Sequence, residues 1–175
     1  MSLMARNFLS LAVAVFACVP AALAQSNGTG CAFDQVAGTS RQILRCQDGL
    51  TIIAETAAQF TLVDRDRDGN ADSATLRRKA LLLDGPTGKA KVGFQVVTPQ
   101  AIAAVRGTKW AVDVQQSKAS VFVVTGRVAV RRPAANTSVL LGPGEGVDVE
   151  EGSGPLTVRR WPAARVSALL ARFGQ

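Results

Sequence analysis

The sequence predicts an all-β domain, a compact sandwich or a short solenoid of about 9–11 short strands, with one C-terminal α-helix. Three observations carry this reading. From residue 50 onward, short apolar runs alternate with Gly, Pro, Asp and Asn at intervals of roughly 8 to 12 residues. In the later runs, Trp110, Val112 and Val114, then Val128 and Val130, then Val147 and Val149 fall on alternate positions with mostly polar neighbours. That is the period of a strand with one buried face. Only residues 161–173 carry apolar side chains at near-helical spacing.

The first element is not part of the domain. Arg6 precedes an almost unbroken apolar run over 8–19, Pro20 breaks it, and Ala22-Leu23-Ala24 supplies a small-x-small cleavage pattern. This predicts a signal peptide over 1–24, cut before Gln25, and hence export to the periplasm. The run is shorter than the roughly 20 residues that a membrane-spanning helix needs. A less favoured reading makes Cys18 a lipidated residue after Val15-Phe16-Ala17, where Phe16 fits a lipobox poorly. No later stretch approaches membrane-spanning length, so no transmembrane segment is expected once the signal is removed.

Residues 25–49 read as an N-terminal extension tied by Cys31 and Cys46, the two cysteines left after the signal. An even pair in an oxidising compartment predicts a disulfide. It would close a loop of about 15 residues and add around 3 kcal/mol in the chain-entropy account. A metal or redox pair is the alternative, but no His accompanies the cysteines.

The β domain is assigned to 50–158. Its apolar runs are 50–54, 60–63, 80–83, 94–97, 110–114, 120–124, 127–131, 139–141 and 146–149. Their β-branched content and bounding turn residues are strand signatures. Thr125-Gly126 predicts a tight hairpin, and Gly142-Pro143-Gly144-Glu145 another turn. Over 159–175, Pro162 suits a first helical turn, and Trp161, Val166, Leu169, Leu170 and Phe173 define one face. Arg165 and Arg172 are expected to point outward. The helix either caps the β core or docks a partner or a membrane surface.

The sharpest local pattern is Asp64-Arg65-Asp66-Arg67-Asp68-Gly69-Asn70-Ala71-Asp72. Alternate carboxylates followed by Gly match the start of an EF-hand-type loop, which gathers oxygens around Ca²⁺. The twelfth position is Thr75, where such a loop needs Glu, and the flanks read as strands. Two readings follow: a weak calcium loop built on Asp64, Asp66, Asp68 and Asp72, or an Asp/Gly/Asn-rich hairpin tip. Ca²⁺ is the only cofactor the sequence suggests.

Composition narrows the function classes. The chain has no His, so the ordinary general base and the Ser-His and Cys-His arrangements are absent. The later carboxylate clusters, Glu145 with Asp148 and Glu150 with Glu151, resemble solvated strand ends, and no phosphate-cradling Gly loop lies between a strand and a helix. A non-enzyme is expected. The formal net charge is +7, but the cations are spread along the chain and aromatics are few, unlike a nucleic-acid surface. The charge favours acidic envelope partners or anionic surfaces.

The stretch Phe94-Gln95-Val96-Val97-Thr98-Pro99-Gln100-Ala101 and its continuation Val105-Arg106-Gly107-Thr108-Lys109-Trp110-Ala111-Val112 resemble the TP-x-A…V-x-GT-x-F/W-x-V core of the FecR domain. Residues 121–130 resemble that family's V-x-V-x-x-G-x-V-x-V hairpin around Gly126. Leu140-Leu141-Gly142-Pro143-Gly144-Glu145 resembles its L-x-x-GE turn. The motif residues Thr98, Pro99, Gly107, Thr108, Trp110, Gly126, Gly144 and Glu145 are expected to build the fold. Full FecR regulators look like a cytoplasmic anti-sigma segment, a membrane helix and this periplasmic domain, whereas here a cleavable signal stands in the place of the first two.

The resemblance implies a stand-alone periplasmic signalling or protein-interaction module that contacts a membrane receptor or sensor through edge strands or the basic helix. The alternative is an envelope- or carbohydrate-binding domain, assisted by calcium, with Trp161 as the available aromatic. The oligomeric state is left open.

Overall fold

A computed structural model of the chain describes residues 28–35, 41–86, 93–105, 107–133, 135 and 137–175. The expected signal peptide over 1–24 and Cys18 lie outside them. In chain order the elements are β1 (Cys31–Gln35), β2 (Gln42–Cys46), β3 (Thr51–Ala54), β4 (Gln59–Val63), β5 (Ser73–Asp84), β6 (Gln95–Val97) and β7 (Ile102–Val105). There follow β8 (Lys109–Gln115), β9 (Lys118–Thr125), β10 (Val128–Arg131), β11 (Ser138–Leu141), β12 (Glu145–Glu150), β13 (Val158–Arg160) and α1 (Ala163–Ala171). The fold is the expected all-β one with a single C-terminal helix. Nine of the strands answer the nine apolar runs; β1, β2, β7 and β13 are additional.

The strands fold over into two layers that share β5, giving a nearly closed, barrel-like sandwich. The helix-side sheet runs β1-β2-β3-β5-β8-β9-β12-β13, antiparallel throughout. The open sheet runs β4-β5-β6-β7-β10-β11, with only β5 and β6 parallel. The N-terminal half of β5 pairs β4 and β6, and its C-terminal half pairs β3 and β8. The strand passes between layers where Lys79 takes φ +67°. A non-glycine residue in that region marks a true backbone irregularity.

Strand periodicity decides what lies between the layers. Ile52, Leu81, Leu83, Trp110, Val112, Val121, Val123, Val147 and Val149 point inward from the helix-side sheet. Ala74, Leu76, Val96, Ala103, Val128, Val130 and Leu141 meet them from the open sheet. Trp110 is fully buried in this core, so truncating it to Ala would cost about 3–5 kcal/mol. The intervening residues Ala80, Leu82, Ala111 and Phe122 face the other way, beneath Trp161, Leu169 and Phe173. The helix-side sheet is therefore buried on both faces, which explains the unbroken apolar runs Ala80-Leu81-Leu82-Leu83 and Val121-Phe122-Val123.

The predicted hairpin at Thr125-Gly126 is not one. β9 pairs β8 and β12, while β10 pairs β7 and β11, so Gly126 and Arg127 carry the chain from one layer to the other. Gly126 has the positive φ that suggested a tight turn, +84°, but spends it on this crossing. The tight hairpin lies instead between β8 and β9, at Gln116-Ser117, where Gln116 takes φ +47°. The Cys31–Cys46 disulfide is formed between directly paired positions of β1 and β2. The β2–β3 pairing joins this cross-linked hairpin to the helix-side sheet.

Candidate functional site

The motif residues build turns and layer crossings. Thr98 closes the turn between β6 and β7: its backbone N–H donates to the Ala101 carbonyl at 2.8 Å and its hydroxyl to the same oxygen at 3.0 Å. The Ala101 N–H donates back to the Thr98 hydroxyl at 2.9 Å, and Pro99 sits at the turn's second position. Gly107 adopts φ +59° between β7 and β8. Buried Thr108 donates its hydroxyl to the Arg127 carbonyl at 3.3 Å. A Cβ on Gly126 would stand 2.7 Å from that hydroxyl oxygen and 3.0 Å from the Gly107 carbonyl, so two motifs distant in sequence pack against each other here. At the passage from β11 to β12, the Gly142 N–H donates to Glu145 Oε2 at 2.7 Å and the Glu145 N–H to the Gly142 carbonyl at 3.1 Å. Gly144 takes φ +79° between them.

The Asp-rich segment is the loop of the β4–β5 hairpin, since Val63 pairs Ser73. It brings three of the four predicted carboxylates together: oxygens of Asp64, Asp66 and Asp72 lie within 4.8 Å of one another. Asp68 turns aside, accepting from the backbone and side-chain amides of Asn70 at 2.9 and 3.1 Å. The loop's own amides hold the cluster. Asp64 accepts from Arg67 and Gly69 at 2.8 and 2.9 Å, and Asp72 from Arg65 at 2.7 Å. These are the Asx-type bonds of a turn, and they converge the carboxylates without an ion.

The helix turns its basic side chains toward sheet carboxylates while leaving them partly solvated, where the sequence expectation has them pointing outward. Arg165 lies 3.4 Å over the Trp161 ring and donates to both oxygens of Asp148, one at 3.0 Å. Arg172 reaches both carboxylate oxygens of Asp113, at 2.7 and 2.9 Å, and also contacts Glu55. Asp113 and Asp148 occupy strand positions whose side chains face the helix, and that placement turns the arginines inward. These partners raise the Arg172 pKa, Asp113 contributing most, against the opposing effect of burial. Partial burial alone would push the Asp148 carboxyl up; the bonds from Arg165 and Ser120 outweigh it and hold the group below its ordinary value. Trp161, expected to be available to a ligand, is 8% exposed and stacks on Phe122 with ring centroids 5.0 Å apart. A Cβ on Gly146 would lie 2.4 Å from its indole, so glycine is what lets the ring sit on β12.

What stays uncovered is the outer face of the open sheet. One row crosses all six strands as Thr61, Thr75, Val97, Ile102, Arg131 and Ser138. The adjacent row includes Gln95, Ala104, Ala129 and Leu140, and Leu140 is 59% exposed. No described helix lies over these rows, and among the described residues β4 and β11 are the edge strands of this sheet. Sequence inspection missed this face. Its one signal is the adjacency of Leu140 and Leu141, of which only one can turn inward.

A family profile described as FecR protein matches residues 34–129, more than half of the chain. Two crystal structures of a candidate anti-sigma factor from Parabacteroides distasonis ATCC 8503, at 1.65 and 2.50 Å resolution, are similar in fold. Their TM-scores are 0.57 and 0.58, and both are 22% identical over 74% of this chain. The chain spans 60% of that protein's length. No curated protein matches significantly.

Proposed function

The chain belongs to the FecR protein family, and from that premise we propose that it is a non-catalytic regulatory module that signals by contacting a membrane receptor or sensor in the periplasm. The observation that carries this reading is the contrast between its two outer faces. The helix-side face is filled by Trp161, Leu169 and Phe173 and sealed by two arginine–carboxylate groups. The open face displays Val97, Ile102, Ala104, Ala129 and Leu140 beside its edge strands, the composition and geometry of a protein-contact surface. Arg131 on that face and the net charge of +7 favour an acidic partner. The family supports regulation; the compartment and the partner class rest on the signal-peptide pattern.

On this reading the motif residues build the fold: Thr98 and Glu145 bond within their own turns, Thr108 bonds the Arg127 carbonyl, and Trp110 is buried in the core. Glu145, one of the later clustered carboxylates, accepts a backbone amide of its own turn. Trp161 being stacked and covered removes the aromatic platform that a carbohydrate site would use.

The test is genetic and structural together. In a strain lacking the protein, wild type should restore the regulated transcripts. An Ile102→Asp, Leu140→Asp double variant that keeps wild-type circular dichroism and Tm should not. Full restoration by the folded double variant would sink the assignment of this face.

A further inference from the structure

We propose that the β13 edge of the helix-side sheet is a second protein-contact site, which adds an extended acidic segment of a partner as one more strand. β13 ends that sheet, pairing β12 alone. The Trp161 N–H donates to the Gly144 carbonyl at 3.1 Å. In antiparallel register, Arg159 is then the next residue bonded to β12, opposite Gly146, and the N–H and C=O groups of Val158 and Arg160 point out of the sheet. Among the described residues nothing pairs with those groups. They form a ready ladder for an incoming strand.

The edge is also held in the shape that such a strand needs. Leu156 and Val158 pack against the core, and Trp161 at the end of β13 stacks on Phe122. Binding therefore orders little on this side of the contact. Pro155 and Pro162 bracket the segment, and neither has an N–H to continue the ladder, which limits the pairing to about five residues.

Charge selects the occupant. Arg159 and Arg160 are both exposed, and neither has an ion-pair partner among the described residues. Successive strand residues point to opposite faces, so Arg159 stands on the helix side with Trp161, and Arg160 on the other. Gly144 leaves room for the Arg160 guanidinium at the rim, because a Cβ there would lie 2.7 Å from its Nη1. Adjacent carboxylates in an added strand also fall on opposite faces, one beside each arginine. The opposite edge of the same sheet differs: on β1, Asp34 is already paired with Arg45 at 3.4 Å. A second copy of this chain is disfavoured at β13, because edge-to-edge pairing would set arginines beside arginines. The occupant is thus a short β-branched segment with two neighbouring acidic residues. This edge belongs to the other sheet from the open face, and the inference stands independently of that reading.

The probe is a synthetic peptide blocked at both ends, TVTDEVTV. In one control Lys-Lys replaces its acidic pair; in another the acids stay and the backbone is N-methylated throughout, which removes its donors. Titration of the isotope-labelled full chain, followed through its amide resonances, reads the site directly. The acidic peptide should shift the Val158 and Arg160 amides saturably. Each control should bind at least about tenfold more weakly, a difference of about 1.4 kcal/mol or more. Both arginines are exposed, so an Arg159→Gln, Arg160→Gln double variant should fold normally and weaken the acidic peptide at least about fivefold. Unmoved Val158 and Arg160 amides, equal binding of the Lys-Lys peptide, undiminished binding of the N-methylated one, or undiminished affinity in the double variant would each overturn the proposal. The Ile102→Asp, Leu140→Asp variant leaves this edge untouched, so failure of the open-face reading is read separately.

Discussion

The two outer faces of this sandwich are made from the same kind of strand and end in opposite states. On the helix side, the residues between the core positions are Ala80, Leu82, Ala111 and Phe122, large or apolar enough to need a cover, and α1 supplies it. On the open side, the corresponding residues include Thr61, Thr75, Val97, Ile102, Ala104 and Ala129, small or β-branched, together with Gln95, Arg131 and the exposed Leu140. They pack along a pleated surface without demanding a third layer. The polar groups differ in the same sense. Asp113 and Asp148 are paired with helix arginines, while Arg131 has no described partner. One face is a finished interior, and the other is a surface that tolerates solvent and offers contact.

The contrast between the faces should be greatest in the side chains that α1 covers. Phe173→Ala should destabilise the protein by about 3–5 kcal/mol, because the ring is almost fully buried under the helix. Leu140→Ser, by contrast, should change stability by no more than about 0.5 kcal/mol. Urea denaturation of both variants decides this; similar losses would mean that the open face is covered as well.

A smaller effect separates the arginines. Arg172→Ala leaves Asp113 with its side chain only 8% exposed and without its main partner. The expected cost is about 2 kcal/mol, below the 3–5 of a wholly buried pair because Arg172 is itself partly solvated. Arg131→Ala should be neutral within about 0.5 kcal/mol by the same measurement.

Acid sharpens the contrast further. The folded Asp148 carboxyl titrates below its ordinary value of 3.8, so its contribution is present above that pH and fades as pH falls through the lower folded value. Asp148→Asn should lower Tm at pH 7 and flatten the wild-type decline below about pH 4. An unchanged acid limb in the variant would remove Asp148 from the account.

The smallest effect is expected at the β4–β5 hairpin tip of the open sheet. Its carboxylates already accept amides of their own loop, and Arg65 and Arg67 flank them. Isothermal titration should therefore show Ca²⁺ binding no tighter than about 1 mM. Micromolar binding would restore the metal reading of Asp64, Asp66 and Asp72.

Particular elements show what the sequence discloses and what it hides. The apolar runs and the alternation at Trp110, Val112 and Val114 are local, and each became a strand with the expected face buried. The Cys31 and Cys46 pairing was legible because two cysteines permit one bridge. The Thr125-Gly126 error arose because a positive-φ glycine permits a hairpin and a layer crossing equally, and only strand pairing distinguishes them. Arg165 and Arg172 were misplaced outward because their counter-ions lie on β8 and β12, far away in sequence. β7, with Ile102, Ala103, Ala104 and Val105, escaped notice because alanines weaken a strand pattern. The open face was invisible for another reason: four of its five pairings join consecutive strands, but which face the helix covers is settled only by the long-range pairings of β5 with β8 and of β9 with β12.

The central claim is that the open face is where a partner binds. Photo-crosslinking in intact cells tests it most directly, with a benzoylphenylalanine placed singly at Ile102, at Leu140 and at Ser167 on the exposed side of α1. The account predicts that positions 102 and 140 capture the same membrane protein and that position 167 captures none. Capture from position 167 alone, or from none of the three, would contradict it.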